Sequence, residues 1–252
     1  MKNDLKIINE HQKFQKVSLK ETTNSFYLLL AAEIDHSLFP FFITTSKKKK
    51  YIIREAKEWS GELLKQGIAI DATTFYACLI PPGIGKYLKE RQGEVQVAKY
   101  DFVILIETSS RQKMEEIQNS DEYKQMVQKI TSIATATHFI TAVNVKRIDS
   151  VDHKSPGVFL FNYFFADDLQ QNIGIWEYTA GWFQQETGLD NSTVLLPQGN
   201  SNTKYTIINH CRWDNMSDIL PSLLFKRTFQ TYVLDNFYAN KVAAMPILYK
   251  KA

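Results

Sequence analysis

The segment GVFLFNYFFA, Gly157–Ala166, decides the fold. It is far shorter than the roughly 20 apolar residues that cross a membrane. It lacks a helical repeat and is rich in aromatic residues, so it reads as a strand. Alternate residues of a strand point to opposite faces. Val158, Leu160 and Phe164 therefore oppose Phe159, Phe161 and Phe165. A sheet with one wet face would alternate apolar and polar residues. Here both faces are apolar, and both must be covered. DFVILIE, Asp101–Glu107, repeats the pattern, with Phe102, Ile104 and Ile106 on one side and Val103 and Leu105 on the other.

Outward from Gly157–Ala166 the period changes in a fixed order. Leu169–Thr187 carries Leu169, Ile173, Trp176, Ala180 and Phe183 on a helical stripe, stopped by Gly188. Thr193–Leu196 and Lys204–Trp213 read as strands. Asp218 is placed to cap a helix reaching Asn236, with Phe225, Phe229, Tyr232 and Val233 on one face, and Val242–Tyr249 is a last strand. The first half has the same order. Ser25–Ile34, Ala72–Ile80, Val95–Glu107 and Phe139–Ile148 read as strands. Helices follow over Lys48–Gln66, with Ile52, Ala56, Trp59 and Leu63, and from Ser120, with Tyr123, Met126, Val127, Ile130 and Ile133. Each half is thus β-α-β-β-α-β, the ferredoxin-like split unit. The divisions are a polar extension (1–24), a first repeat (25–150) and a second repeat (156–252). Helices cover one face of each sheet, and packing the two sheets together covers the other. The expected fold class is α+β, two tandem ferredoxin-like repeats forming one pseudo-dimeric α+β barrel.

Composition narrows the function. The chain has 252 residues, 44% of them hydrophobic and 23% charged, which excludes a disordered chain. Net charge is 30 − 27 = +3, too weak for a nucleic-acid partner. Lys47–Lys50 is the one dense cationic run and reads as a solvated loop or helix start, with an anion or nucleic-acid contact as the alternative. Cys78 and Cys211 lie in apolar runs and read as buried free thiols of a reducing compartment. No Cys or His spacing supports a metal site. The N-terminal region is mixed in charge, unlike a signal peptide, and no apolar run spans a membrane. A cytoplasmic protein without a membrane partner is expected. No nucleophile elbow, dinucleotide fingerprint or phosphate loop is present.

Three local marks carry a resemblance. They are DFVILIE, the helix opening Asn119-Ser120-Asp121-Glu122-Tyr123, and Trp213 at the end of a strand before the last helix. Over about residues 25–250 the chain resembles the dimeric α+β barrel superfamily, which includes antibiotic-biosynthesis-type and haem-degrading monooxygenases and stress-response proteins. With both halves on one chain, a monomer can close the barrel that single-repeat relatives form as dimers; a monomer or a homodimer is expected. One fold hosts many functions. The resemblance implies a pocket for a small apolar or aromatic molecule. It implies that Asn162, a polar residue within FLFNYFF, holds oxygen or substrate, and that Trp213 closes the pocket. Asn162 also has a structural reading, as an amide satisfied within the core. The family's histidine on the following helix is missing from LLFKRTFQTYVLDNF, Leu223–Phe237. No cofactor is therefore expected. Haem is the alternative and would need His210 or another residue as its ligand.

His210 lies mid-strand in IINHCRW, with Arg212 on its face. Its strand neighbours that of Asn162. On a shared face, a neutral imidazole beside an amide could position a phenol or accept its proton. Asn162, His210 and Trp213 are the candidate catalytic residues; Tyr163, Trp176, Tyr178, Trp182 and Arg212 are candidate ligand contacts. Ile175, Tyr178 and Trp182 form a second stripe that would meet the other repeat, a partner chain or a pocket wall. His138 reads as a surface or helix-end residue, and His11, His36 and His153 sit in polar or loop contexts with no role. Three functions stay open: a small-molecule-binding barrel that oxygenates a phenolic ligand without a cofactor, a non-catalytic binding or stress-response protein, and a haem protein. Whether the chain is an enzyme is open with them.

Overall fold

The computed structural model describes residues 5–35, 38–199 and 204–252. The first half holds β1 (Phe26–Glu33), α1 (Lys47–Lys65), β2 (Asp71–Leu79), a short α2 (Tyr87–Glu90), β3 (Phe102–Thr108), α3 (Arg111–Asn119), α4 (Asp121–Ile133) and β4 (Ala136–Arg147). The second holds β5 (Val158–Ala166), α5 (Leu169–Thr187), β6 (Thr193–Gln198), β7 (Ile207–Trp213), α6 (Met216–Phe225), a π-helical turn (Phe229–Leu234), α7 (Asp235–Ala239) and β8 (Val242–Lys251). The strands close into a barrel in the order β1-β3-β2-β8-β5-β7-β6-β4. Each half supplies four consecutive strands, and the antiparallel pairs β2–β8 and β4–β6 form the seams.

The two apolar faces are accounted for by three cores. Phe75, Tyr100, Phe159, Phe161, Tyr163 and Tyr249 fill the barrel. Leu28, Leu30, Ile104 and Ile106 pack under the first half's helices. Leu160, Phe164, Cys211 and Trp213 pack under the second half's. The pseudo-dimeric α+β barrel expected from the strand pattern is the one observed.

Several details differ from the sequence reading. The third strand starts at Phe102 rather than Val95, because Val95, Ala98 and Tyr100 turn into the barrel core after Gly93. Helix α3 buries only Met114 and Ile117, too few apolar residues to show as a stripe. Asn215, not Asp218, caps α6; Asp218 closes the capping box from the third helical position. The helix expected to reach Asn236 stops at Phe225, and the π-helical turn follows. Lys47–Lys50 does start a helix, but Lys49 is buried. Its ammonium lies 2.7 Å from the Asp101 carboxylate, which also accepts from the amides of Ile34 and Asp35. These donors hold a carboxylate that burial alone would penalise. Both cysteines are free; Cys211 is buried and Cys78 half-buried.

The N-terminal extension is docked. The Lys6 and Ile8 amides donate to the side chains of Asn240 and Asn236, and Phe14 packs on Tyr232 with ring centroids 4.5 Å apart. A Cβ at Gly181 would strike the Gln15 carbonyl, and one at Gly174 would press on Leu5. The two glycines make room on α5 for this strap. Among the described residues no helix is long and apolar enough to cross a membrane.

Candidate functional site

The register of β5 and β7 sorts the candidate residues. Asn162 lies opposite Asn209, and Phe161 opposite His210. Directly opposed residues share a face. Asn162 and Asn209 therefore point toward the helices with Leu160, Cys211 and Trp213, whereas His210 points into the barrel with Phe161 and Tyr163. The shared face that would join Asn162 to His210 does not exist.

On the helix side, Asn162, Asn209, Ser192, Thr179, Trp176 and Trp213 are among the residues around a cavity of about 30 Å³. Room of this order admits a water. The Asn162 Oδ1 is buried without a hydrogen-bond partner among the described residues. Asn209 differs: its Oδ1 accepts from the Ser192 hydroxyl at 2.5 Å. Trp213 is fixed by its Nε1–H, which donates to Thr187 Oγ1 at 3.0 Å. Burial pushes the Cys211 thiol up, so it stays protonated. No carboxylate, imidazole, ammonium or guanidinium lines this cavity.

Asn162, Leu160 and Phe183 also line a second cavity of about 30 Å³, walled by Phe229 and Val233 of the π-helical turn and by Pro81, Pro82 and Gly83. Those last three residues in turn border an open groove of about 500 Å³, with Phe39, Phe41, Ile84, Leu220 and Leu224. The buried cavity beside Asn162 and the apolar surface groove thus share a wall of Pro81, Pro82 and Gly83. Gly83, at φ 134°, faces Phe229; an added Cβ would lie 3.3 Å from its ring.

The barrel side holds a different arrangement. His210 stacks on Phe161 with centroids 4.1 Å apart. Its Nδ1 lies 2.9 Å from the Leu160 carbonyl and its Nε2 lies 2.7 Å from His153 Nε2. His153 Nδ1 lies 2.9 Å from Asp71 Oδ1, which also accepts from Thr73. Desolvation and the neighbouring His153 push His210 well below the usual imidazole range, against the bond to Leu160. Burial works to raise the Asp71 carboxyl, but His153, Thr73 and Lys251 outweigh it and hold it below its ordinary value. The sequence reading gave His153 no role, because a histidine in VDHKSP carries no periodic signal. Its position on the connection between two halves was the one clue.

Trp176 faces the cavity beside Asn162 and Trp213. Tyr163 lies in the barrel, near Tyr100, Tyr205 and His138. His138 is not at the surface. It is buried among these rings, and desolvation lowers it to about 3. Arg212 sits beyond the barrel rim, bound to the Pro156 carbonyl and, at 2.7 Å, to Asp214. The second stripe packs within its own half: Tyr178 stacks on Tyr232, and Trp182 donates to Thr228 and packs on Phe229. His36 lies outside the described residues.

Haem does not fit these residues. Both His210 nitrogens are engaged on the barrel side, and no histidine lines the cavity at Asn162. Among the described residues no group of three or more His, Cys, Asp or Glu side chains is placed to hold a metal ion.

The architecture is a pseudo-dimeric α+β barrel, with both ferredoxin-like halves on one chain. Among solved structures, an anthrone oxidase-like protein superposes with a TM-score of 0.62 at 12% identity, over 91% of this chain and 92% of that one. A candidate monooxygenase from Fusobacterium nucleatum gives 0.54 at 9% identity, over 91% and 92%. Another from Lactobacillus acidophilus gives 0.51 at 9%, over 92% and 94%. At such identities the likeness establishes the fold. No family model and no curated protein matches the chain.

Proposed function

We propose that the chain binds a small, largely apolar molecule in the surface groove and that the ligand's polar tip reaches Asn162. The observation that carries this reading is the buried, unpartnered Asn162 Oδ1 beside a small apolar cavity that only Pro81, Pro82 and Gly83 separate from the groove. An amide oxygen so placed costs about 1–3 kcal/mol until a donor reaches it. The ligand's tip would therefore carry a hydroxyl or another donor. Binding ranks ahead of chemistry because the lining supplies no ionisable base.

A finer reading is favoured by the likeness to an anthrone oxidase-like protein. It is cofactor-independent oxygenation of a phenolic ligand in a dry cavity, in which a ring methylene and dioxygen give a carbonyl and water. Its proton would have to leave without a general base in the lining.

Trp176 and Trp213 line the cavity and serve as reporters. Titration with 1,8-dihydroxyanthrone and with a long-chain alcohol should give a saturable change in their fluorescence, weakened about three- to tenfold in Asn162→Leu. Equal binding by Asn162→Leu, or no saturation with either probe, overturns the binding reading. Oxygen uptake with 1,8-dihydroxyanthrone, which has both the phenolic hydroxyls and the ring methylene, tests the finer one.

A further inference from the structure

The Asp71–His153–His210 chain joins three parts of the molecule: β2 of the first half, the linker between the halves, and β7 of the second. Its hydrogens can be counted. The Leu160 carbonyl is an acceptor, so His210 Nδ1 carries a hydrogen. The Asp71 carboxylate is an acceptor, so His153 Nδ1 carries one as well. The two Nε2 atoms face each other at 2.7 Å, with ring centroids 5.0 Å apart, so the rings meet end to end. Two lone pairs cannot share that gap, and neither can two hydrogens. One proton occupies it. The pair of rings then carries three N–H groups and one positive charge, set against Asp71.

We infer that this chain is a one-proton clasp that fastens the inter-repeat linker over one end of the barrel and releases it in acid. A second proton would place two cations end to end in a largely apolar mouth formed by Phe75, Phe159 and Phe161. The charged and titratable groups around it come from every neighbouring element. Tyr27 on β1, Glu107 on β3 and Arg147 on β4 line the adjoining cavity of about 60 Å³, with Ser150, Val151 and His153 of the linker. Lys251 on β8 donates to the carbonyls of His153 and Lys154. Asp152 is turned to the amides of Lys154 and Ser155. Glu107 is a further carboxylate at this mouth, directly across the strand pair from Asp71, and it is engaged by Tyr27. Both shifts described above act in one direction. A histidine held neutral and a carboxyl held ionised each favour the closed form at neutral pH and lose that preference as pH falls. The clasp stands apart from the ligand cavity, on the opposite face of β5 and β7, and does not depend on the binding proposal.

The test is residue-resolved amide exchange on the full chain between pH 7.5 and 4.5, corrected for intrinsic rates, together with long-range ¹H–¹⁵N spectra of the imidazoles. At pH 7.5, His210 should be a neutral Nδ1–H tautomer and His153 doubly protonated. Protection of residues 150–155 should fall at least tenfold in acid, while the β4 amides around His138 hold. His153→Ala should show low linker protection at every pH. Asp71→Asn, which keeps an acceptor but loses the charge, should move the opening toward neutral pH. A neutral His153 at pH 7.5 overturns the clasp. So does a linker whose protection follows the same pH profile in wild type and His153→Ala, or one that opens only with the whole barrel.

Discussion

The halves can be compared position by position. The fifth residue of the opening strand is Leu30 in the first and Asn162 in the second, and each faces the third residue of a neighbouring strand, Ile104 or Asn209. In the first half this pair is part of a dry layer under α1, α3 and α4. In the second, two amides occupy the same place and the cavities gather around Asn162. The fold therefore accepts an apolar pair at this point. The barrel topology by itself does not call for amides here, which is the ground for proposing the site in the second half.

The most severe way to break the comparison is to put the amide into the wrong half. Leu30→Asn should lower stability by about 3–4 kcal/mol, through lost apolar burial and an unsatisfied amide. A cost under about 1 kcal/mol in urea unfolding would mean that the first half tolerates a polar core residue equally well. Next in size is a pH effect to which both halves contribute, through His138 on β4 and His210 on β7. Both are held neutral when folded. Below about pH 6.5 the unfolded chain takes up protons that the folded chain refuses, so stability falls with pH. For His138 the loss runs down to its folded value of about 3. Within that window His138 contributes about 1.4 kcal/mol per pH unit, and His210 acts in the same direction. Urea midpoints at pH 7 and 4.5 should differ accordingly, and His138→Phe should remove part of the slope.

The reverse exchange sharpens the comparison. Asn162→Leu should raise stability by about 1–2 kcal/mol while weakening ligand binding, since it removes an unpartnered polar atom. A fall in stability would show that the amide is satisfied in solution and serves structure. The smallest effect is expected at Gly83. Gly83→Ala should cost about 1 kcal/mol for its backbone angle and slow ligand association by narrowing the passage beside Phe229.

Much of the fold was legible because doubly apolar strands leave few ways to cover both faces. The same property hid half of the site. In FLFNYFF the alternation that would show which side faces a helix is absent, so nothing in the residues themselves separated Asn162 from the face of His210. Asn162, Trp176 and Trp213 do meet around one cavity. His210 belongs to another arrangement, whose members at 71, 153 and 210 become neighbours only when the barrel closes. The docked extension was equally hidden. It is held by asparagine side chains gripping its backbone, which leaves little apolar pattern in its own residues.

That strap sets an order of events during synthesis. Asn9 bonds to the Thr231 carbonyl, 222 residues further along. At translation rates of about 5–20 residues per second, the strap waits some 10–45 s before its docking surface is complete. Until then Leu5, Ile7 and Phe14 lack part of the surface they cover, because the helix of Gly174 and Gly181 is made first and the turn that holds Tyr232 only later. The segment is among the earliest of the described residues to be synthesised and among the last able to fold.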